Sequence, residues 1–276
     1  MSNRSLVSVI ISTKNEEGNI RNILESLKRQ IYKNIEIIIV DNNSTDGTKE
    51  IAKEYTEKIY NRGPERSSQR NFGVEIANGE FVFISDADMI LTPKVIGECV
   101  NEISPKEDVG GIIIPELSIG QGFWAKCKAL EKSFYVGVDY IEAARFYRKK
   151  VFQELGGFNI NMLGGEDWDL SQRVAKRYKI GRINSYIYHN EGKLSLLKTM
   201  QKKFYYGKHF NKYLDKNRNL ENVKQQINTF KRFVLYLSHP IKLFKNPILG
   251  FGMLFMKFCE FGAGGAGYLI SKFRKY

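Results

Sequence analysis

Cysteine is scarce. Cys99, Cys127 and Cys259 are odd in number and far apart, with no Cys-x-x-Cys and no neighbouring histidine. That argues against a disulfide framework or a zinc site and for a reducing compartment. No Gly-x-Gly-x-x-Gly follows the first apolar run, which argues against a dinucleotide oxidoreductase. The turn after that run, Thr13-Lys14-Asn15-Glu16-Glu17, also lacks the glycine-rich, arginine-bearing phosphate loop of a nucleotidylyltransferase. The run itself, Leu6 to Ile11, is short and breaks at Lys14, so no signal peptide is expected. Internal repeats and low-complexity tracts are missing too. Acidic residues are rare at one end: residues 193–276 hold 3 Asp+Glu against 17 Lys+Arg, whereas residues 1–192 hold 27 against 26.

The chain therefore reads as a near-neutral body, 1–192, followed by a basic region, 193–276, and all of the +13 net charge comes from the second part. Such a region calls for an anionic partner. Its lysines alternate with apolar clusters, as in Phe230-Lys-Arg-Phe-Val-Leu-Tyr-Leu237 and Ile241-Lys-Leu-Phe-Lys245, which suits amphipathic helices in a lipid interface rather than nucleic acid. Between Asn246 and Ser271 only Lys257 and Glu260 are charged, three apart and able to pair on one helix face. The uncharged runs on either side each fall short of the ~18 residues of a spanning helix. Gly262, Gly264, Gly265 and Gly267 weaken a straight span further.

In the body, β-branched runs alternate with helical periodicity. Ser5 to Ser12 and Ile35 to Val40 read as strands; Ile20, Ile23, Leu24 and Leu27 mark one face of a helix between them. Asp46 reads as a turn and cap residue for the helix carrying Ile51, Ala52 and Tyr55. A short strand is expected at Lys58 to Asn61, another at Gly110 to Pro115, a helix over Phe123 to Tyr135 and a last strand over Gly181 to Tyr188, delivering His189. Strand and helix alternating at this spacing predict an α/β fold with a mainly parallel sheet.

The most informative stretch is Phe81-Val-Phe-Ile-Ser-Asp-Ala-Asp-Met89, an apolar strand ending in two carboxylates. Ligands of open α/β sheets bind beyond the carboxyl ends of the strands. If the chain stays extended, Asp86 and Asp88 lie on one side and repel unless a cation sits between them. Mg²⁺, which takes one or two carboxylates and completes its shell with water and phosphate oxygens, would serve.

Taken with Ser8-Val-Ile-Ile-Ser-Thr-Lys-Asn-Glu16, Val40-Asp-Asn-Asn-Ser-Thr-Asp-Gly47, Arg70-Asn-Phe-Gly73, Gly164-Gly-Glu-Asp167 and His189, in that order, this stretch resembles the family-2 glycosyltransferases of GT-A fold. The resemblance implies that Thr13, Asn15, Glu16 and Asp41 hold the base and ribose of a nucleotide-diphosphate sugar. It places Asp86 and Asp88 at ribose, metal and diphosphate, with His189 near the metal and Arg66 and Arg70 near the diphosphate or sugar. Asp167 becomes the catalytic base, with Glu166 as the alternative.

The expectation is an inverting transferase using Mg²⁺ or Mn²⁺ that moves a sugar to a hydroxyl, on a membrane-associated glycan or lipid-linked acceptor. It would sit in the cytoplasm, peripheral on the inner face of the cell membrane. Two rivals are a polyprenyl-phosphate glycosyltransferase and a non-catalytic membrane-surface module; for the basic region, the rival to lipid is packing on the body or a homodimer interface.

Overall fold

The computed structural model describes residues 5–217 and 221–273; the outermost residues of both expected domains, and 218–220, lie outside the described residues. In chain order the elements are β1 (Val7–Thr13), α1 (Glu17–Lys28), β2 (Ile35–Asp41), α2 (Thr48–Lys53), β3 (Ile59–Asn61), α3 (Arg66–Ile76), β4 (Phe81–Asp86) and β5 (Met89–Leu91). There follow α4 (Val95–Ile103), β6 (Val109–Ile113), β7 (Glu116–Gln121), α5 (Phe123–Ser133), β8 (Ala144–Arg148), α6 (Lys149–Glu154), α7 (Glu166–Ala175), β9 (Lys179–Arg182) and β10 (Ile187–Lys193). The chain continues with α8 (Leu196–His209), α9 (Asn211–Asn217), α10 (Glu221–Ile227), α11 (Thr229–Leu237), α12 (Pro240–Phe244) and α13 (Pro247–Phe273).

Two compact units result. One comprises Met1–Pro115, Ala143–Ile160 and Glu166–His189, the other Glu116–Glu142, Asn161–Gly165 and Asn190–Tyr276. A break at residue 192 was the expectation. The chain instead crosses at His189/Asn190, and the segment carrying β7 and α5, read as part of the body, groups with the C-terminal helices.

The first unit is built on a seven-stranded sheet of order β3-β2-β1-β4-β8-β6-β9. Strands β3, β2, β1 and β4 run parallel, whereas β8 runs antiparallel to β4 and β6. Alternation along β1 and β4 supplies both faces. Val7, Val9, Ile11, Phe81 and Phe83 join Ile20, Ile23 and Leu24 of α1 in one core; Ile10, Val82 and Ile84 join Val74 of α3 and Leu170 and Val174 of α7 in the other. A strand buried on both faces favours apolar residues throughout, which is why β4 is continuously apolar from Phe81 to Ile84. Register sets the site: Thr13 pairs with Asp41, and Ser12 with Asp86, so three strands end level with one another.

Two strand expectations change. The single strand over Gly181 to Tyr188 is two, β9 in the main sheet and β10, whose Ile187, Tyr188 and His189 pair antiparallel with Leu91, Ile90 and Met89 of β5. His189 thus lies inside a strand rather than beyond one. The chain also turns at Ala87 and Asp88 instead of staying extended, so Asp86 and Asp88 are not same-side neighbours of one strand.

The second unit packs α5 against α11, α12 and α13 around Cys127, Phe134, Tyr135, Tyr236, Leu243, Met253 and Met256. Helix α13 runs uninterrupted for 27 residues, contrary to the broken span expected from its charges and glycines. The charges do not break it because they are paired. Lys257 lies 2.7 Å from Glu131 and 2.6 Å from Glu260, and Lys128 lies 2.6 Å from each of the same two carboxylates, a closed buried ring of four. Nor does Gly267 break it: the glycine is where the backbone of α8 at Phe204 comes close, and a Cβ there would collide with the Phe204 carbonyl.

Candidate active site

At the carboxyl end of β1 the backbone leaves the sheet through Asn15, a non-glycine residue with φ of 54°. Asparagine tolerates that left-handed conformation. It is held there by a reciprocal pair: the Asn15 N–H donates to Ser44 Oγ at 2.8 Å, and Asn15 Oδ1 accepts from the Thr45 N–H at 2.9 Å. Asp41 is wholly buried. Its oxygens accept from Thr13 Oγ1 at 2.7 Å, from the Ser44 hydroxyl at 2.6 Å and from the Ser44 N–H at 2.7 Å. Thr13 and Asp41 therefore shape the turn from within, while Asn15 stands exposed and Glu16 half-buried. Burial raises the pKa of Glu16, a hydrogen bond from Asn19 offsets part of this, and the charges of Asp88, Asp86 and Asp46 raise it further. Asp46 accepts from the Thr48 N–H at 3.1 Å as a turn residue; the N-cap of α2 is Gly47, with no side-chain cap, so of the turn and cap roles read for Asp46 only the first holds.

Behind the turn, Gln69 of α3 donates to the carbonyls of Thr13 at 3.0 Å and Val40 at 2.6 Å, tying the helix to the ends of β1 and β2. The next residue of α3 is Arg70, whose side chain is only 1% exposed. Nη2 donates to Asp86 Oδ1 at 2.6 Å; Nη1 lies 3.2 Å from Asp167 Oδ1 and 3.5 Å from Glu166 Oε1. The guanidinium also lies over the Phe158 ring at 5.4 Å. The resemblance set Arg70 beside the diphosphate or sugar, but in this structure it faces inward and organises carboxylates. Arg66, one helical turn earlier, is the exposed one, 3.7 Å from Glu166.

Asp86 receives a second cation, Arg145 of β8, at 3.7 Å. Burial alone would raise its pKa, yet Arg70, Arg145 and Arg66 together hold it well below the usual carboxylate range. Sequence reasoning missed Arg145 and Gln69. The alternation Ala144-Arg145-Phe146-Tyr147-Arg148 was the available signal for β8 and so for Arg145; nothing local marks Gln69.

Asp88 has a different partner, His189, with Nε2 to Oδ2 at 2.8 Å. The expected trio of Asp86, Asp88 and His189 is thus divided, Asp86 to the arginines and Asp88 to the histidine. Among the described residues no three His, Cys, Asp or Glu side chains are gathered as a metal cage. A divalent cation nonetheless fits at Asp88, because its Oδ1 is buried without a hydrogen-bond partner. A carboxylate oxygen and an imidazole nitrogen are also donors that Mn²⁺ accepts, and magnesium sites draw only one or two carboxylates from a protein.

Glu166 and Asp167 open α7, where carboxylates are favoured by the helix dipole. Their surroundings differ. The Glu166 side chain is 7% exposed, and burial and the neighbouring Asp167 charge raise its pKa despite Arg70 and Arg66. The Asp167 side chain is 32% exposed.

Residues 8–156 match the family described as glycosyl transferase family 2. The glycosyltransferase YwdF of Bacillus subtilis is 27% identical over 189 residues, 64% of this chain and 70% of that protein. EpsH of the same organism is 34% identical over 109 residues, a match of 37% of this chain that spans only 32% of EpsH. Among solved structures, the mannosyltransferase PcManGT from Pyrobaculum calidifontis, in complex with GDP-Man and Mn²⁺, has a TM-score of 0.67 at 16% identity, covering 100% of this chain and 89% of that one; it shares the GT-A fold. The family model covers more than half of the chain, β1 to α6 of the sheet domain among it, and on that ground the chain belongs to glycosyl transferase family 2.

Proposed function

We propose that this glycosyltransferase passes a sugar from a nucleotide-diphosphate donor to an acceptor hydroxyl with inversion, Asp167 taking the proton. One observation carries the reading: a single buried guanidinium, Arg70, touches both Asp86 on the donor side and Asp167 at the head of α7. A hydroxyl that attacks an anomeric carbon must lose its proton to a base within hydrogen-bond reach. Asp167 is the accessible carboxylate of its pair. Glu166, buried and turned to two arginines, is the less accessible of the two and serves to set the position of Arg66 and Arg70.

On the donor side, Asn15 and Glu16 line the route to base and ribose, and Asp86 is kept ionised to accept from sugar hydroxyls. Asp88 and His189 would hold Mg²⁺ or Mn²⁺, which when bound offsets the charge of the departing diphosphate. PcManGT, with its GDP-Man and Mn²⁺, supports that use of a divalent ion. Arg66 would meet the diphosphate, a reading supported by its exposure beside Glu166.

The acceptor is a glycan or lipid-linked hydroxyl at the inner face of the cell membrane, where the basic C-terminal region would lodge. The discriminating experiment is Asp167→Asn. A hydroxyl acceptor requires the base, whereas a lipid phosphate, already ionised near neutrality with a second pKa of about 6, does not. Loss of transfer with retained donor binding supports the hydroxyl reading. Wild-type transfer by the variant would overturn it in favour of a phosphate acceptor or of Glu166 as base.

A further inference from the structure

We propose that α13 lies in the plane of an anionic membrane surface, its aromatic edge in the boundary between headgroups and acyl chains, and does not cross the bilayer. The inference rests on the membrane reading above and fixes what that reading leaves open, the attaching surface and its depth.

By length and composition α13 could cross a membrane. Its two faces say otherwise. Gly250, Met253, Met256, Lys257, Glu260 and Gly267 are buried against protein. On the other side Ile248, Phe251, Phe255, Phe258, Leu269 and Phe273 recur at helical spacing and are exposed, Phe258 at 72% and Phe273 at 75%. A helix in the core of a soluble protein would cover those rings. A spanning helix would be apolar all round at mid-length, whereas this one carries Lys257 and Glu260 there.

The ring of charges closes the argument. Lys257 and Glu260 are bonded to Lys128 and Glu131 of α5, every lysine to both carboxylates at 2.6 or 2.7 Å. Centring α13 in hydrocarbon would either carry four charges into it or strip Lys128 and Glu131 of their partners, and neither is tolerated in an apolar medium. Lying flat keeps the ring on the protein side and immerses only the aromatic edge, the disposition of an interfacial helix.

The same division runs through the preceding helices. Phe230, Val234, Leu237 and Ile241 are exposed at spacings of three and four, and Arg232 and Tyr236 are buried opposite them. Exposed Lys231, Lys245 and Lys272 stand among these apolar residues. Lysines beside exposed aromatics match lipid phosphates over acyl chains, and the local excess of 17 basic over 3 acidic residues supplies the long-range attraction.

The test uses full-length protein and vesicles of phosphatidylcholine with or without phosphatidylglycerol. Co-sedimentation should require phosphatidylglycerol, weaken with salt, and fall by about tenfold or more when Phe251, Phe255 and Phe258 are all replaced by serine. Donor-induced thermal stabilisation should be unchanged in that variant, showing that it folds. Depth is read by brominated-lipid quenching of a fluorophore on Phe251→Cys, Phe258→Cys or Phe273→Cys, each combined with Cys259→Ser. Equal, shallow depths support the in-plane helix. A deep label at 258 between shallow ones at 251 and 273 would overturn it while leaving membrane attachment standing. Failure of the wild type to bind either vesicle would overturn both. If the serine variant binds normally but converts a dimer to a monomer, the aromatic edge is a contact between copies.

Discussion

Nη2 of Arg70 donates to Oδ1 of Asp86 at 2.6 Å, inside a cluster where the same guanidinium also meets Asp167 and Glu166. A charge with 1% exposure is tolerated only because its partners neutralise it. Arg70→Met would leave three carboxylates crowded without their counter-charge, and breaking a buried pair from one side costs roughly 3–5 kcal/mol. Urea unfolding should show a loss of that size, with Arg70→Lys intermediate because a point charge cannot copy the two-sided fork. A loss below about 1 kcal/mol for Arg70→Met would mean that the cluster behaves as a solvated surface pair.

Asp88 and His189 should govern metal use. Asp88→Asn and His189→Ala are each expected to shift the Mn²⁺ concentration needed for half-maximal transfer upward by about 10- to 100-fold. Saturating Mn²⁺ should recover part of the rate. Full wild-type turnover in excess chelator would dispose of the metal.

For the base, Asp167→Asn should lower kcat by roughly 10²–10⁴ with the donor dissociation constant, read by calorimetry, little changed. Glu166→Gln should keep most of kcat, because its side chain is 7% exposed and turned to Arg66 and Arg70. A larger loss in Glu166→Gln than in Asp167→Asn would reverse the assignment.

Acid stability provides a check that does not depend on activity. Glu36 accepts from the Asn78 N–H at 2.6 Å and also holds Lys58 and Ser8. Burial would raise its pKa, but these partners depress it to about 2. A carboxylate with a depressed folded pKa stabilises the fold above its unfolded pKa, about 4.3, and loses that contribution as the pH falls towards 2. Glu36→Gln should therefore be less stable than wild type by on the order of 2–3 kcal/mol at pH 7. The gap should narrow from pH 5 downward in denaturant titrations. A gap independent of pH would place the effect in packing instead.

The sequence by itself determined the parallel part of the sheet, β1 to β4 and where those strands end, and the order of the site motifs, but not β8 or the division of β9 from β10. The legible parts depend on local patterns: the continuous apolar run of Phe81 to Ile84, the helical spacing of Ile20 to Leu27, and polar turns at Asn15, Asp41 and Asp86. Tertiary structure alone decided what each charge touches. Asp86 has no basic neighbour in the chain, so a metal ion appeared necessary between it and Asp88; the fold instead brings Arg70 from α3 and Arg145 from β8 to Asp86 and leaves Asp88 to His189. Likewise Lys257 and Glu260 were legible as a pair three apart, but not their closure with Lys128 and Glu131 of α5, which lets a helix carry charge at mid-length without a break. Side-chain periodicity is a property of neighbours in sequence, whereas Coulombic pairing depends on distances of a few ångströms. In this chain those short distances join residues as far apart as Arg70 and Asp167 or Lys128 and Glu260, and only the packed fold sets them.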